Sequence, residues 1–311
     1  MKKGLKIFLP LLVFIAIILI IDGKGKSADA LYEKYAQDYS GSIQVDDMSV
    51  YYKKSGNGPT LLLIHGVASS LYTWESWHEA LSDNFTVVSI DLPAFGLSGP
   101  HPDEDYSHDM YMHTISSVLD QLNVKEVYVA GNSFGGMLCW MYALHDKERV
   151  KKIVLIDAAG LNTKRNDIHD PGFKLATHPL FKYLTHAITP KFLIERSLKN
   201  AYADPSLVTK EKVSRYHDVL LRKGNRQAFS KVLLETIHNG EDHRKKIASI
   251  DIPVLILWGE KENMIPLDMA REYHDLISNS KLITYPDGGH IPMEEIPKQT
   301  SYDVKKFLLS E

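Results

Sequence analysis

The 311-residue chain has a single cysteine, Cys139. One thiol excludes an intramolecular disulfide, and no cysteine–histidine cluster has zinc spacing. The fourteen histidines are scattered along the chain. No dinucleotide fingerprint is present, so no cofactor is implied. Charge of one sign is also lacking, with 36 basic and 39 acidic residues and a net charge of −3. Without a basic stripe interleaved with aromatics, nucleic acid is excluded as a partner. Internal repeats and low-complexity tracts are absent. Long apolar runs are lacking too, with one exception at the N-terminus.

That exception is the uncharged stretch Ile7–Ile21, preceded by Lys2, Lys3 and Lys6. As a helix it spans roughly 25 Å at ~1.5 Å per residue, the short end of a membrane span. It has no polar face, which excludes a core helix. The flanking lysines predict a cytoplasmic N-terminus and an uncleaved signal anchor, with the body of the chain on the extracytoplasmic side of the cell membrane. The alternative is a cleaved signal peptide, for which Ala28-Asp29-Ala30 has the small-x-small form. That site lies about nine residues past the apolar run, with two lysines between, which is long for a cleavage region.

Residues 22–42 read as a polar stalk, with a short helix over Ala30–Gln37. Ile43, Val45, Val50 and Tyr52 alternate around Asp46-Asp47 and predict a hairpin. Near-continuous apolar runs follow at Leu61–Ile64, Thr86–Ile90, Val127–Ala130, Ile153–Ile156, Val254–Leu257 and Lys281–Tyr285. Such runs suit strands buried on both faces. In Tyr106–Leu122, Ile115, Val118, Leu119 and Leu122 recur at helical spacing. The alternation predicts an α/β fold: a mainly parallel central sheet with helices on both faces. The ~95 residues between Asp157 and Pro253 hold no convincing strand, too long a gap for an unstructured loop. Helix-like pieces at Pro179–Ala187, Pro190–Lys199, Thr209–Leu221 and Arg226–Ile237 make this a helical cap. The predicted organisation is anchor and stalk (1–30), first part of the core (31–160), cap (161–248) and second part of the core (249–311).

Gly131-Asn132-Ser133-Phe134-Gly135 stands between a strand-like run and the helix-like "MLCWMYALH". A serine on a sharp strand-to-helix turn needs neighbours without a Cβ, which Gly131 and Gly135 supply. It also meets the unpaired N–H groups of a helix N-terminus, which favour a developing oxyanion. The plainer reading is a helix cap. A nucleophilic serine needs a base, usually oriented by an acid. His290 lies on the loop after Lys281–Tyr285. Glu260 and Glu262 follow Val254–Leu257, and Asp157 follows Ile153–Ile156. The chain order is therefore serine, acid, histidine.

With these residues the sequence resembles the α/β-hydrolase superfamily over Asp47–Leu309, the insertion apart. "LLLIHGVAS", "DLPAFGLS" (with Ala94 where glycine is usual), "PVLILWGEKENMIP" and "GGHIPMEEIP" resemble its oxyanion, turn, acid and histidine segments. The resemblance implies Ser133 as nucleophile, His290 as general base and then acid, and Val67 and Phe134 as oxyanion-hole N–H donors. The acid falls on Glu262, where aspartate is usual, with Glu260 and Asp157 as alternatives. His65 reads as a structural hydrogen-bonder, Asp91 as a turn tie and Cys139 as core. His169, His178 and His186 read as surface or pocket residues. Glu294 and Glu295 read as serving the last helix's N-terminus.

The serine separates this chain from relatives that carry an aspartate nucleophile. "GNSFGG" is similar to lipases and esterases, including membrane-anchored monoacylglycerol lipases, and to C–C hydrolases of ring-fission products. Ile291 stands where the latter usually have tryptophan. The expectation is a membrane-anchored carboxylesterase or lipase acting on a small-molecule or lipid ester without a cofactor. Phe173, Leu175, Leu180, Phe181, Tyr183 and Leu184 either line its acyl pocket or pack between helices. The alternatives are a C–C hydrolase and a non-catalytic binding protein of the same fold.

Overall fold

A computed structural model describes residues 25–161, 178, 188–234 and 241–310. The apolar runs form strands of one sheet, in the order Ser40–Val45 (β1), Met48–Ser55 (β2), Thr86–Ile90 (β4), Thr60–Ile64 (β3), Val127–Asn132 (β5), Val150–Ile156 (β6), Val254–Gly259 (β7) and Ser280–Tyr285 (β8). Ser40–Val45 (β1) and Met48–Ser55 (β2) pair as the expected hairpin, with Val45 opposite Met48 across Asp46-Asp47. Strand β2 is also antiparallel to Thr86–Ile90 (β4). All further pairings are parallel: Thr60–Ile64 (β3) with β4 and Val127–Asn132 (β5), then Val150–Ile156 (β6), Val254–Gly259 (β7) and Ser280–Tyr285 (β8) in turn.

Alternate residues of one strand enter different cores, as a two-residue period demands. Leu62 and Ile64 pack with Ile115, Leu138 and Met269 from helices His108–Gln121, Phe134–His145 and Leu267–Leu276. Leu61 and Leu63 pack on the opposite face with Trp77 and Val304 from helices Glu75–Leu81 and Pro297–Leu309. Burial on both faces explains why these strands read as continuous apolar runs. The parallel strands bring the loops after β3, β5, β7 and β8 to one edge, where open α/β sheets bind ligands.

Between β6 and β7, helices Lys191–Ala201, Lys210–Leu220, Asn225–Val232 and Arg244–Ile247 form the described part of the insertion. The expected helix Pro179–Ala187, the six proposed acyl-pocket residues, His169 and His186 lie outside the described residues. So does the apolar run Ile7–Ile21. Among the described residues no helix is long and apolar enough to cross a membrane.

The segment expected to be a stalk is docked where it is described. Lys26 donates its N–H to the Leu221 carbonyl at 2.7 Å and accepts from the Lys223 N–H at 2.9 Å. Buried Asp218, on helix Lys210–Leu220, accepts from Lys26 Nζ at 2.9 Å, Lys34 Nζ at 2.8 Å and Tyr35 Oη at 2.9 Å. Helix Ala28–Tyr35 buries Leu31 among Tyr51, Leu71, Tyr72 and Leu97. Polar composition suggested a stalk; Leu31, Lys26, Lys34 and Tyr35 fasten it to the body of the protein.

Candidate active site

Strand β5 ends at Asn132, and Ser133 adopts φ 55°, ψ −118° before helix Phe134–His145 begins. Positive φ is strained for a residue with a Cβ and is held only where its surroundings determine it. Here the Ser133 N–H donates to the Ile156 carbonyl at 2.9 Å, and its carbonyl accepts from Ala159 at 3.0 Å. A Cβ on Gly131 would lie 2.3 Å from the Gly135 carbonyl oxygen, and one on Gly135 would lie 2.1 Å from that of Ile64. Both glycines are therefore required by close backbone approach. The Ser133 side chain makes no capping hydrogen bond, so the helix-cap reading falls.

His290 follows β8 on a loop pinned from two sides. Its N–H donates to the Ala201 carbonyl at 2.7 Å. Its carbonyl accepts from Asn132 Nδ2 at 2.8 Å, tying it to the residue before Ser133. His290 Nδ1 is hydrogen-bonded to Glu262 Oε2. Glu262 Oε1 accepts the N–H groups of Met264 and, at 3.0 Å, Ile265, which fixes the carboxylate. A carboxylate only accepts, so Nδ1 carries the proton and Nε2 offers a lone pair. His290 and Ser133 line the same cavity.

The other candidate acids are elsewhere. Glu260 accepts from Thr284 Oγ1 at 2.7 Å on the surface. Asp157 is fully buried, with Oδ1 accepting from the Gly259 N–H at 3.0 Å. Burial, reinforced by the nearby Glu262 charge, holds its carboxyl well above the usual range. Both effects disfavour the ionised form, which makes Asp157 poorly suited to balancing an imidazolium.

Val67 follows the His65-Gly66 turn at the end of β3 and lines the cavity beside Ser133. Among the described residues no backbone carbonyl takes the N–H of Val67 or Phe134. His65 is structural: Nδ1 donates to the Gly66 carbonyl at 2.6 Å, and Nε2 accepts from the Leu92 N–H at 3.0 Å. Burial pushes its pKa down to about 4. Asp91 ties its turn, accepting from Leu71 at 2.7 Å and Leu97 at 2.6 Å. Cys139 is buried core, and His178 is exposed. Among the described residues no three His, Cys, Asp or Glu side chains converge as metal ligands.

The cap contributes Ile194, Leu198, Tyr216 and Leu220 to the cavity, joined by Met264 and Ile291. Around the serine the lining is mainly apolar, as in a pocket for an uncharged substrate, with the Tyr216 and Ser197 side chains as polar exceptions from the cap.

Glu294 and Glu295 do something other than serve a helix terminus. Buried Glu294 accepts from Thr73 Oγ1 at 2.7 Å, Tyr216 Oη at 2.7 Å and Tyr202 Oη at 2.5 Å, and pairs with Lys212 at 3.0 Å. Glu295 accepts from the N–H groups of Gly289 at 2.8 Å and Ala203 at 2.6 Å. The histidine loop and the cap are stapled together through these two carboxylates. Only the short spacing from His290 hinted at this, because the partners are distant in the chain.

The family model for the alpha/beta hydrolase fold matches residues 59–297. An uncharacterised hydrolase of Bacillus subtilis (strain 168) is 27% identical over 269 residues, covering 85% of this chain and 96% of its own. Lipase 3 of Moraxella sp. (strain TA144) is 26% identical over 291 residues, covering 89% and 87%. The crystal structure of a meta-cleavage product hydrolase from Pseudomonas fluorescens IP01 superposes with a TM-score of 0.75 at 26% identity, covering 86% and 97%.

Proposed function

The chain belongs to the α/β-hydrolase fold family, and on that premise we propose that it cleaves carboxylic esters through an acyl-enzyme at Ser133. The observation that carries this is the Glu262–His290 hydrogen bond on the wall of the cavity that Ser133 lines. In the proposed reaction His290 Nε2 takes the hydroxyl proton as Ser133 Oγ attacks the ester carbonyl. The Val67 and Phe134 N–H groups stabilise the oxyanion, a contribution on the order of 10²–10³ in rate for each donor. The imidazolium, balanced by Glu262, returns the proton to the leaving alcohol. Water, deprotonated by His290, then releases the acid and restores Ser133. Similarity to Lipase 3 and the apolar lining favour an ester of limited polarity. The uncharged run before Gly25 would hold this domain at the extracytoplasmic face of the cell membrane; fractionation of the full chain tests that, and recovery of a shortened soluble form would favour secretion.

The test of the chemistry is hydrolysis of p-nitrophenyl esters of increasing chain length by the detergent-solubilised full chain. Ser133→Ala should lose activity and fluorophosphonate labelling together. Unchanged turnover in that variant would refute the reading. Similarity to the meta-cleavage product hydrolase favours C–C hydrolysis as the second reading. Turnover of a ring-fission dienoate in preference to every ester tried would establish it instead.

A further inference from the structure

Tyr216, on helix Lys210–Leu220, is with Ser197 one of two polar side chains that the cap brings to the cavity. Its hydroxyl donates to Glu294 Oε1 at 2.7 Å. Burial alone would raise the Glu294 pKa. The Lys212 ammonium and the hydroxyls of Tyr202, Thr73 and Tyr216 outweigh it and hold the carboxyl below its usual range. Glu294 is therefore a fixed anion, and an anion only accepts. That settles which way the Tyr216 proton points. Burial, helped by the negative Glu294, keeps Tyr216 from ionising. The phenol oxygen is left with its lone pairs for partners other than Glu294. Ser69, two residues past Val67, lies 3.4 Å from that oxygen. With the phenol proton committed, Ser69 must be the donor in this contact. Its length makes it weak and readily displaced by a better-placed donor.

We infer that Tyr216 Oη, with Ser69 beside it, forms a polar subsite that accepts a hydrogen bond from a hydroxyl on the substrate. The subsite discriminates hydroxylated esters from apolar esters of the same shape. It rests on the esterase reading of the cavity. The hydroxyl can sit on the acyl chain or on the alcohol, and the two sources are separated by two substrate pairs.

The experiment compares 2-hydroxyethyl butanoate with propyl butanoate, and ethyl 6-hydroxyhexanoate with ethyl heptanoate. Each pair exchanges a hydroxyl for a methyl group. Values of kcat/KM are taken on the full chain in detergent, per site titrated by fluorophosphonate. Relative to the wild type, Tyr216→Phe should lower the hydroxyl:methyl preference about fivefold in one pair, the worth of one neutral hydrogen bond. The pair affected identifies the source. Ser69→Ala removes the competing donor and keeps the acceptor, so it should raise the same preference, and it serves if Tyr216→Phe does not fold. Equal preference ratios in wild type and Tyr216→Phe for both pairs overturn the subsite, as does a fall in Ser69→Ala. If neither these four compounds nor any p-nitrophenyl ester is hydrolysed, the esterase reading fails by itself. The same four then act as stable ligands, and their dissociation constants, compared in the same variants, support or overturn the subsite by the same ratios.

Discussion

Replacing Glu262 by glutamine should be far more damaging than removal of one charge suggests. The N–H groups of Met264 and Ile265 both point at Glu262 Oε1. Two donors require an acceptor, so the amide oxygen takes that position and the amide NH2 faces His290 Nδ1. The reverse orientation would set an NH2 against two N–H groups, each unmade bond costing about 1–3 kcal/mol. An NH2 facing Nδ1 forces the imidazole to put its own proton on Nε2, the nitrogen needed as base. Loss of the correct tautomer lowers kcat by about 10⁴ in the analogous serine triad, or roughly 5 kcal/mol of barrier. Glu262→Gln is expected to fall by about 10³–10⁴ in p-nitrophenyl butanoate turnover. Asp157→Asn is the control. Because burial and the Glu262 charge disfavour ionisation of that carboxyl, an amide reproduces its shape and its acceptor for Gly259, and kcat should stay within about threefold. Steady-state rates of both variants, with folding checked by circular dichroism, decide the matter. Glu262→Gln within tenfold of wild type, or Asp157→Asn more damaged than Glu262→Gln, refutes the tautomer argument.

Gly135→Ala drives a Cβ to 2.1 Å from the Ile64 carbonyl oxygen; a loss of about 3 kcal/mol and a Tm lower by at least about 5 °C are expected, measured by thermal melting with fluorophosphonate labelling of the remaining folded protein. Asp218 would be raised by burial, but Lys26, Lys34 and Tyr35 hold it down at about 2, against an ordinary 3.8. A depressed carboxyl stabilises above its unfolded value and loses that contribution as pH falls through the folded one. Asp218→Asn should therefore cost about 1–2 kcal/mol at pH 7, after screening at the exposed lysines, and almost nothing near pH 2; urea titrations at both pH values test this, and a loss independent of pH would contradict it.

Strand positions were readable because β-branched residues fill both faces of the sheet. Val254–Leu257 and Thr86–Ile90 are too short for a typical helix and suit strands buried on both faces. The turn at Ser133 was readable because Gly131 and Gly135 are locally required, and the placement of His290 and Glu262 because each lies on the loop after a strand. Legibility stopped where a side chain's partner lies far along the chain. Asp218 gives no sign that Lys34, 184 residues away, is its counter-ion. Glu294 occupies a helical first turn, so local reasoning assigned it to that turn, whereas its donors come from Thr73 and from the cap. Leu31 is a single apolar residue in a polar stretch, too little for periodicity to register, yet enough to seat a helix.

The carboxylate staple bears on how this protein can be recombined. Ala201 accepts the N–H of His290, and Glu294 and Glu295 accept from Tyr202, Ala203, Lys212 and Tyr216. A grafted cap that lacks the Tyr202, Lys212 and Tyr216 donors would leave Glu294 short of partners. The insertion and the C-terminal histidine loop are separate along the chain but form one heritable unit. Exchanges that carry "GGHIPMEE" together with its own cap should give active chimeras, and exchanges of the cap alone should not.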